Sequence, residues 1–142
     1  MTQTASWKSA SLGDMIGPVE RDVSTQAVIT FCETWGQGRP GRFTSDGVAR
    51  KEGLQGAIVP GIMSMALLSK LLTDWAPGVT VSKLDVIFRQ PVPHNQPLKL
   101  HGLITDERDV EGRRELTADV FLDLASGSRL VTGQAVLLLA KG

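Results

Sequence analysis

The chain has 142 residues, 15 basic and 15 acidic, with a formal net charge of zero. That length predicts one domain over 1–142 with a real hydrophobic core, and the balanced charge excludes a basic field for nucleic acid or an anionic membrane. One cysteine excludes an internal disulfide and any cysteine-built metal cluster. Residues 1–10 are rich in Thr and Ser and lack an apolar run, so they are expected to be flexible and to carry no signal peptide. Together with the lone cysteine, this points to the cytoplasm as the expected location.

In chain order, Ser11-Leu12-Gly13-Asp14 reads as a turn, and 15–23 as a strand that Pro18 assigns to a sheet edge. Ser24 or Thr25 caps a helix running to Trp35, with Ala27, Val28, Phe31, Cys32 and Trp35 on one face and Gly36 as its stop. Cys32 on that stripe reads as core packing. Residues 36–44 hold three glycines and a proline and are loop. Ser45 or Asp46 caps a short helix through Glu52, ended by Gly53.

The segment 60–75 then dominates the chain. Proline belongs in a first turn, where its missing N–H costs nothing, and Pro77 prevents continuation. Apolar side chains cover most of this helix, leaving a narrow band with Lys70 and Asp74 one turn apart. Such a helix is expected to be buried all round, and it is too short and too interrupted to cross a bilayer.

Four strand-like runs follow. In 80–89, Ser82, Leu84, Val86 and Phe88 alternate with Val81, Lys83, Asp85 and Ile87. A corner with three prolines, 90–97, leads to a strand from Leu98. Asp109-Val110-Glu111-Gly112 turns the chain into a strand whose Leu116, Ala118, Val120, Leu122 and Leu124 face the core. Ser126-Gly127-Ser128 turns it again into 130–140, whose apolar run Val136–Ala140 implies burial on both faces, with a subunit contact as the second cover. The class is therefore α+β, a curved antiparallel sheet around one central helix, which is the plan of a hotdog fold.

Five blocks carry a family likeness. They are Leu12-Gly13-Asp14, Phe31-Cys32-Glu33, Ala49-Arg50-Lys51-Glu52-Gly53-Leu54, Ala57-Ile58-Val59-Pro60-Gly61-Ile62 and Phe88-Arg89-Gln90-Pro91-Val92-Pro93. In this order and spacing they resemble the MaoC-like acyl dehydratases, the (R)-specific enoyl-thioester hydratases. The resemblance implies a hotdog fold, a homodimer or a heterodimer with another hotdog subunit, and an acyl tunnel at the dimer interface. It also implies no cofactor, the substrate arriving as a thioester of CoA or acyl carrier protein.

That family carries a Gly-Asp-x-Asn-Pro-x-His motif before the short helix, whose aspartate and histidine activate a water by proton exchange. Here the segment reads Gly36-Gln37-Gly38-Arg39-Pro40-Gly41-Arg42-Phe43. Counting back from Gly53 puts Phe43 and Gly38 at the histidine and aspartate; counting forward from Gly36 puts Arg42 and Gln37 there. Neither count leaves a dyad. The resemblance also implies a thioester-binding backbone amide at Gly61, next to Ile62, against a plain helix start. Ser64, one turn into the helix, is read as facing the cavity, against a hydroxyl bonded to a helix carbonyl.

Each remaining candidate has an ordinary structural reason as well. Glu33 and Asp46 are the carboxylates available as a substitute base, against readings as a surface residue and a helix cap. Arg39 and Arg42 offer charge for a carrier phosphate, against solvation of a loop. Trp35 and Phe43 offer tunnel walls, against core packing. His94, in the proline-rich corner, is expected to be solvent-exposed, and His101 to lie on the outer face of the sheet. Two histidines without ligand spacing give no metal site.

Three functions fit. The first is an acyl-thioester enzyme with altered chemistry, a dehydratase-like cyclase or isomerase of fatty-acyl or polyketide intermediates. The second is a non-catalytic subunit of a heteromeric hydratase. The third is a conventional (R)-hydratase with a relocated acid/base.

Overall fold

The computed structural model describes residues 6–36 and 40–140. Its elements are β1 (Met15–Arg21), α1 (Thr25–Trp35), α2 (Asp46–Lys51), α3 (Gly61–Trp75), β2 (Thr80–Phe88), β3 (Leu98–Val110), β4 (Arg113–Leu124) and β5 (Arg129–Leu138). The strands form one antiparallel sheet in the order β1-β3-β4-β5-β2. This is the hotdog arrangement expected from the sequence, with α3 packed against the sheet and β1, carrying Pro18, at one edge.

Local chemistry sets each boundary. Ser24 Oγ accepts from Ala27 N at 3.0 Å to start α1, and Gly36, at φ 87°, ends it in the left-handed region. Ser45 caps α2 in the same way through Val48 N. The β3–β4 hairpin closes through Glu111 and Gly112, both at positive φ, the two-residue turn whose twist matches its strands.

The core lies between α3 and the inner face of the sheet. Leu68, Leu71 and Leu72 of α3 are buried with Leu98, Leu100 and Ile104 of β3, Leu116, Ala118, Val120 and Leu122 of β4, and Val131, Ala135 and Leu137 of β5. The period of two along β3, β4 and β5 puts these side chains on one face.

Four expectations need correction. First, α3 is not buried all round: Ser64, Leu68, Leu71 and Leu72 are buried, whereas Ile62 is 49% exposed and Ala66 is exposed. One sheet face covers one side of a helix, so the opposite side of this apolar helix stays open. Second, Val81 does not oppose Leu84. The pairing with β5 shifts between Val81 and Lys83, and that bulge returns Val81 to the inner face with Leu84 and Val86. Third, the described residues 6–10 are tied down. Ala10 is buried, Trp7 packs on the core, and Arg114 donates to the carbonyls of Lys8 and Ala10. Fourth, this chain alone buries one face at the end of β5: Ala135, Leu137 and Leu139 point into the core, while Val136 and Leu138 are half-buried outside it.

Gly133 shows how closely the strands approach. A Cβ there would stand 2.5 Å from the Asp85 carbonyl oxygen and 2.9 Å from Val86 Cγ1. Backbone cannot yield as a flexible side chain can, so Gly133→Ala is expected to destabilise the fold by about 1–3 kcal/mol, read from the urea midpoint. Gly47→Ala, in α2 with only Ser45 Oγ nearby at 3.8 Å, is expected to gain about 0.5–1 kcal/mol in the same assay.

Candidate functional site

The first four N–H groups of a helix lack intrahelical partners and are usually met by a capping side chain. α3 starts with Pro60 at its cap, which supplies no side-chain hydrogen bond, and its first turn holds no acidic residue. Met63 N and Ser64 N reach back to Pro60 O at 3.0 and 3.1 Å. The amides of Gly61 and Ile62 have no acceptor among the described residues. A 15-residue helix therefore presents two free amides and the positive end of its dipole.

Gly61 borders a cleft of about 340 Å³ between the start of α3 and the stretch where the chain leaves β2, Phe88 to Val92. Ser64 lines it as well, one turn into α3 and facing the same way as Gly61. Its Oγ is fully buried and is the one buried side-chain polar atom without a hydrogen-bond partner among the described residues. The opposite wall is held by backbone: Val59 N donates to Val92 O at 2.7 Å, and Ile58 bridges to Pro93. The Phe88 ring lies against the open side of Gly61, where a Cβ would come within 2.9 Å of Cζ. Glycine at 61 thus makes room for this ring, a packing reason that nothing in the local sequence announces.

α3 therefore brings Gly61, Ile62 and Ser64 together. Trp35, Phe43 and Arg42 form a separate group. Trp35 contacts Phe31 and Phe43 with ring centroids 5.9 and 6.5 Å apart and is 45% exposed, while Phe43 packs on the core. Arg42 pairs with Glu52 at 3.0 Å, and its carbonyl accepts from Ile58 N at 3.0 Å, fastening the loop to the strand-like lead into α3. Arg39 lies outside the described residues.

The candidate bases are elsewhere. Glu33 is exposed on α1. Asp46 Oδ1 accepts from Ala57 N at 2.8 Å, and this carboxylate lines a second cavity beyond the Ile58–Pro93 bridge.

His94 lines the same cavity but is half-buried and fully engaged, contrary to its expected exposure. Nε2 meets Ile58 O at 3.1 Å, and a carbonyl only accepts, so Nε2 carries the proton. Nδ1 then accepts from Thr25 Oγ1 at 3.1 Å, while Asn95 Nδ2 donates to that hydroxyl. No lone pair remains for a base; the ring pins α1 to the 93–95 corner.

A carboxylate–imidazole pair does exist, away from α3. His101 Nε2 donates to Asp123 Oδ2 at 2.8 Å, and Arg129 Nε donates to Asp123 Oδ1 at 3.0 Å, with the guanidinium 4.0 Å from the Phe121 ring centre. These residues alternate with the core positions of their strands, so they occupy the outer face of the sheet, where His101 was expected. Burial by itself raises the Asp123 carboxyl, but the hydrogen bonds and charges of Arg129 and His101 outweigh it and hold the group below its ordinary value. Burial raises the Cys32 thiol, consistent with an inert core cysteine.

Sequence reasoning missed Phe88 as a cleft wall and missed the Asp123–Arg129 partnership. The strand register that joins them is a long-range property, although the alternation placing Asp123 outside the core was visible.

With this geometry in hand, comparisons become informative. A family model described as a MaoC like domain matches residues 44–124, more than half of the chain. No curated protein matches its sequence significantly. Among solved structures, the (R)-hydratase from A. caviae involved in PHA biosynthesis superposes with a TM-score of 0.83 at 21% identity, over 94% of this chain and 99% of that one. The ChsH1–ChsH2 complex from Mycobacterium tuberculosis gives 0.80 at 15%, over 92% and 98%. The 3R-hydroxyacyl-ACP dehydratase complex HadBC, C-terminally truncated and also from M. tuberculosis, gives 0.76 at 16%, over 92% and 98%. At these identities the likeness establishes the hotdog fold.

The outer-face cluster gives a pH prediction. A carboxylate with a lowered folded pKa adds stability above its unfolded value and loses it as the pH falls through the folded one. The stability gap between wild type and Asp123→Asn is therefore expected to shrink as the pH drops below about 4, measured by urea unfolding at successive pH values.

Proposed function

The chain belongs to the MaoC-like dehydratase family, and from that premise we propose that it binds an acyl thioester with the carbonyl oxygen at the N-terminus of α3. The single observation that carries this reading is the buried, unpartnered Oγ of Ser64 beside two free amides. A buried hydroxyl without a partner costs about 1–3 kcal/mol, so a fold keeps one where a ligand completes it. The amides of Gly61 and Ile62 and this hydroxyl supply hydrogen to an oxygen that gains negative charge when the thioester becomes enolate-like. Donors fixed by a 15-residue helix need little reorganisation as that charge develops.

No carboxylate or imidazole lines this cleft among the described residues, and the segment Gly36-Gln37-Gly38-Arg39-Pro40-Gly41-Arg42-Phe43 contains neither. The reading is therefore a thioester enzyme of altered chemistry, a cyclase or isomerase of fatty-acyl or polyketide intermediates. In it the chain polarises the carbonyl and excludes water rather than adding water to a double bond. We place it in the cytoplasm, without a cofactor of its own.

A second reading has its own support. β2 is an edge strand, and Ile87 and Phe88 on it are 57% and 50% exposed, while Ile62 is exposed in the first turn of α3. Exposed apolar side chains along an open edge suit pairing with another sheet, either a second copy or a second hotdog chain. The ChsH1–ChsH2 and HadBC structures are complexes. In such a pair this chain would shape the substrate site while its partner supplied the acid and base.

The purified protein is expected to bind hexanoyl-CoA saturably and to leave the absorbance of a short trans-2-enoyl-CoA unchanged. Turnover at the rate of an ordinary hydratase would overturn the altered-chemistry reading. Co-purification with a stoichiometric second hotdog chain, with hydration appearing only in the pair, would select the subunit reading. Ser64→Ala is expected to move two quantities in opposite directions. Hexanoyl-CoA affinity should fall about 3- to 10-fold as one donor is lost, while the urea midpoint rises because an unpaired hydroxyl has been removed. A midpoint gain without a change in affinity would remove Ser64 from the site.

A further inference from the structure

The cleft at the start of α3 holds two hydrogen donors a helical turn apart. The Gly61 amide stands at its border, and Ser64 lies three residues on, about 4.5 Å further along the axis at about 1.5 Å per residue. A buried helical serine ordinarily donates to the carbonyl four residues earlier. Here that carbonyl, Pro60 O, takes Met63 N at 3.0 Å and Ser64 N at 3.1 Å, and Ser64 Oγ has no partner among the described residues. One ligand oxygen can reach both donors only by dividing itself between them. A ligand with a second oxygen two carbons along gives each donor its own. The surroundings favour negative charge. The Gly61 amide lies at the positive end of a 15-residue helix dipole. The Phe88 ring meets Gly61 end-on: a Cβ there would stand 2.9 Å from Cζ and 3.2 Å from both Cε atoms, so the electropositive rim of the ring borders the helix start. Among the described residues lining the cleft, Arg89 is the one that carries charge, and no carboxylate offsets it there.

We propose that the substrate class of this cleft is the 3-oxoacyl thioester, taken as its enolate, with the thioester oxygen on the Gly61 amide and the second oxygen on Ser64 Oγ. The proposal rests on the α3 cleft being the thioester site. A site that favours an anion but lines itself with no general base suits a substrate that ionises unaided. In a 3-oxoacyl thioester the carbon between the two carbonyls is such an acid. Its C–H bond breaks in bulk water, the proton passes to water, and the electron pair spreads over both oxygens. The cleft then selects the anion, with one fixed donor for each oxygen that shares the charge. A saturated acyl thioester offers one oxygen and stays neutral, so it uses the same donors less fully. At about 340 Å³ the cleft suits a short acyl group.

The test measures dissociation constants by calorimetry for the full chain and for Ser64→Ala, with circular dichroism as the fold control. Three thioesters of N-acetylcysteamine, which brings no phosphate, serve as ligands: butanoyl, (R)-3-hydroxybutanoyl and acetoacetyl. The wild type is expected to bind the acetoacetyl thioester about tenfold more tightly than the butanoyl one, and the near-ultraviolet band of the enolate is expected to grow on binding. Ser64→Ala is expected to weaken the acetoacetyl thioester about 30-fold, as for a hydrogen bond to a charged group, against about 3- to 10-fold for the butanoyl thioester. The hydroxybutanoyl thioester carries the second oxygen but does not ionise in water, so its binding as tightly as the acetoacetyl thioester overturns the proposal. An acetoacetyl preference without the enolate band, or one that Ser64→Ala leaves intact, overturns it as well. The comparisons on the wild type decide the matter whether or not the variant folds. Saturable binding of the butanoyl thioester with no gain for the acetoacetyl one overturns this proposal alone. If none of the three binds, the thioester reading of the cleft fails first and this proposal falls with it.

Discussion

The packing of α3 against the inner face of the sheet is the constraint from which the rest follows. Ser64, Leu68, Leu71 and Leu72 are spaced to fall on one side of the helix, and that side alone is buried. With that side packed into the core that also holds Leu100, Leu116, Val120 and Leu137, the helix can neither rotate nor slide without exposing leucine. Its N-terminus is thereby fixed beside the end of β2, and the cleft is where these two ends meet. The position of the free amides is thus a by-product of hydrophobic registry. Their being free is a matter of the residue at 60, because proline caps nothing.

The same seating makes Ser64 unusual. Its spacing assigns it to the buried stripe, where an apolar side chain would need no partner. A hydroxyl there weakens the core unless something accepts or donates to it, and no described residue does. The other buried polar side chain, Asp123, shows the ordinary solution: it is surrounded by Arg129 and His101, and both carboxylate oxygens are occupied. Among the described residues these are the two buried polar side chains, one satisfied by its neighbours and one not.

Charge is managed in a comparable way around α2. Asp46 spends its carboxylate on the Ala57 amide, stitching α2 to the lead into α3, and Glu52 spends its own on Arg42. Both interactions fasten the loop and short helix that precede α3. Their consequence is that Arg50, in the middle of this arrangement, faces a cavity with no ion-pair partner among the described residues, its Nε held by Gln55 O. The apolar side of α3 left open at Ile62 and the edge of β2 at Ile87 and Phe88 are likewise what remains when one sheet face has covered one helix face.

Periodicity and punctuation, which are local, were enough for most of the fold. The alternation in β3 and β4 fixed which side chains enter the core, and Ser24, Ser45, Gly36 and Gly112 set element ends through hydrogen bonds or backbone angles spanning a few residues. The family, and the lack of a carboxylate or imidazole in the segment from Gly36 to Phe43, were also legible. Gly61, Ile62 and Ser64 could be grouped because a single helix carries them. Tertiary structure decided what lies across from that helix: the Phe88 ring against Gly61, the engagement of His94 by Ile58 and Thr25, the diversion of Asp46 from Arg50, and the bulge that turns Val81 inward. Each of these joins residues by strand pairing or side-chain reach across other elements, and such distances depend on how surfaces fit once the chain has folded.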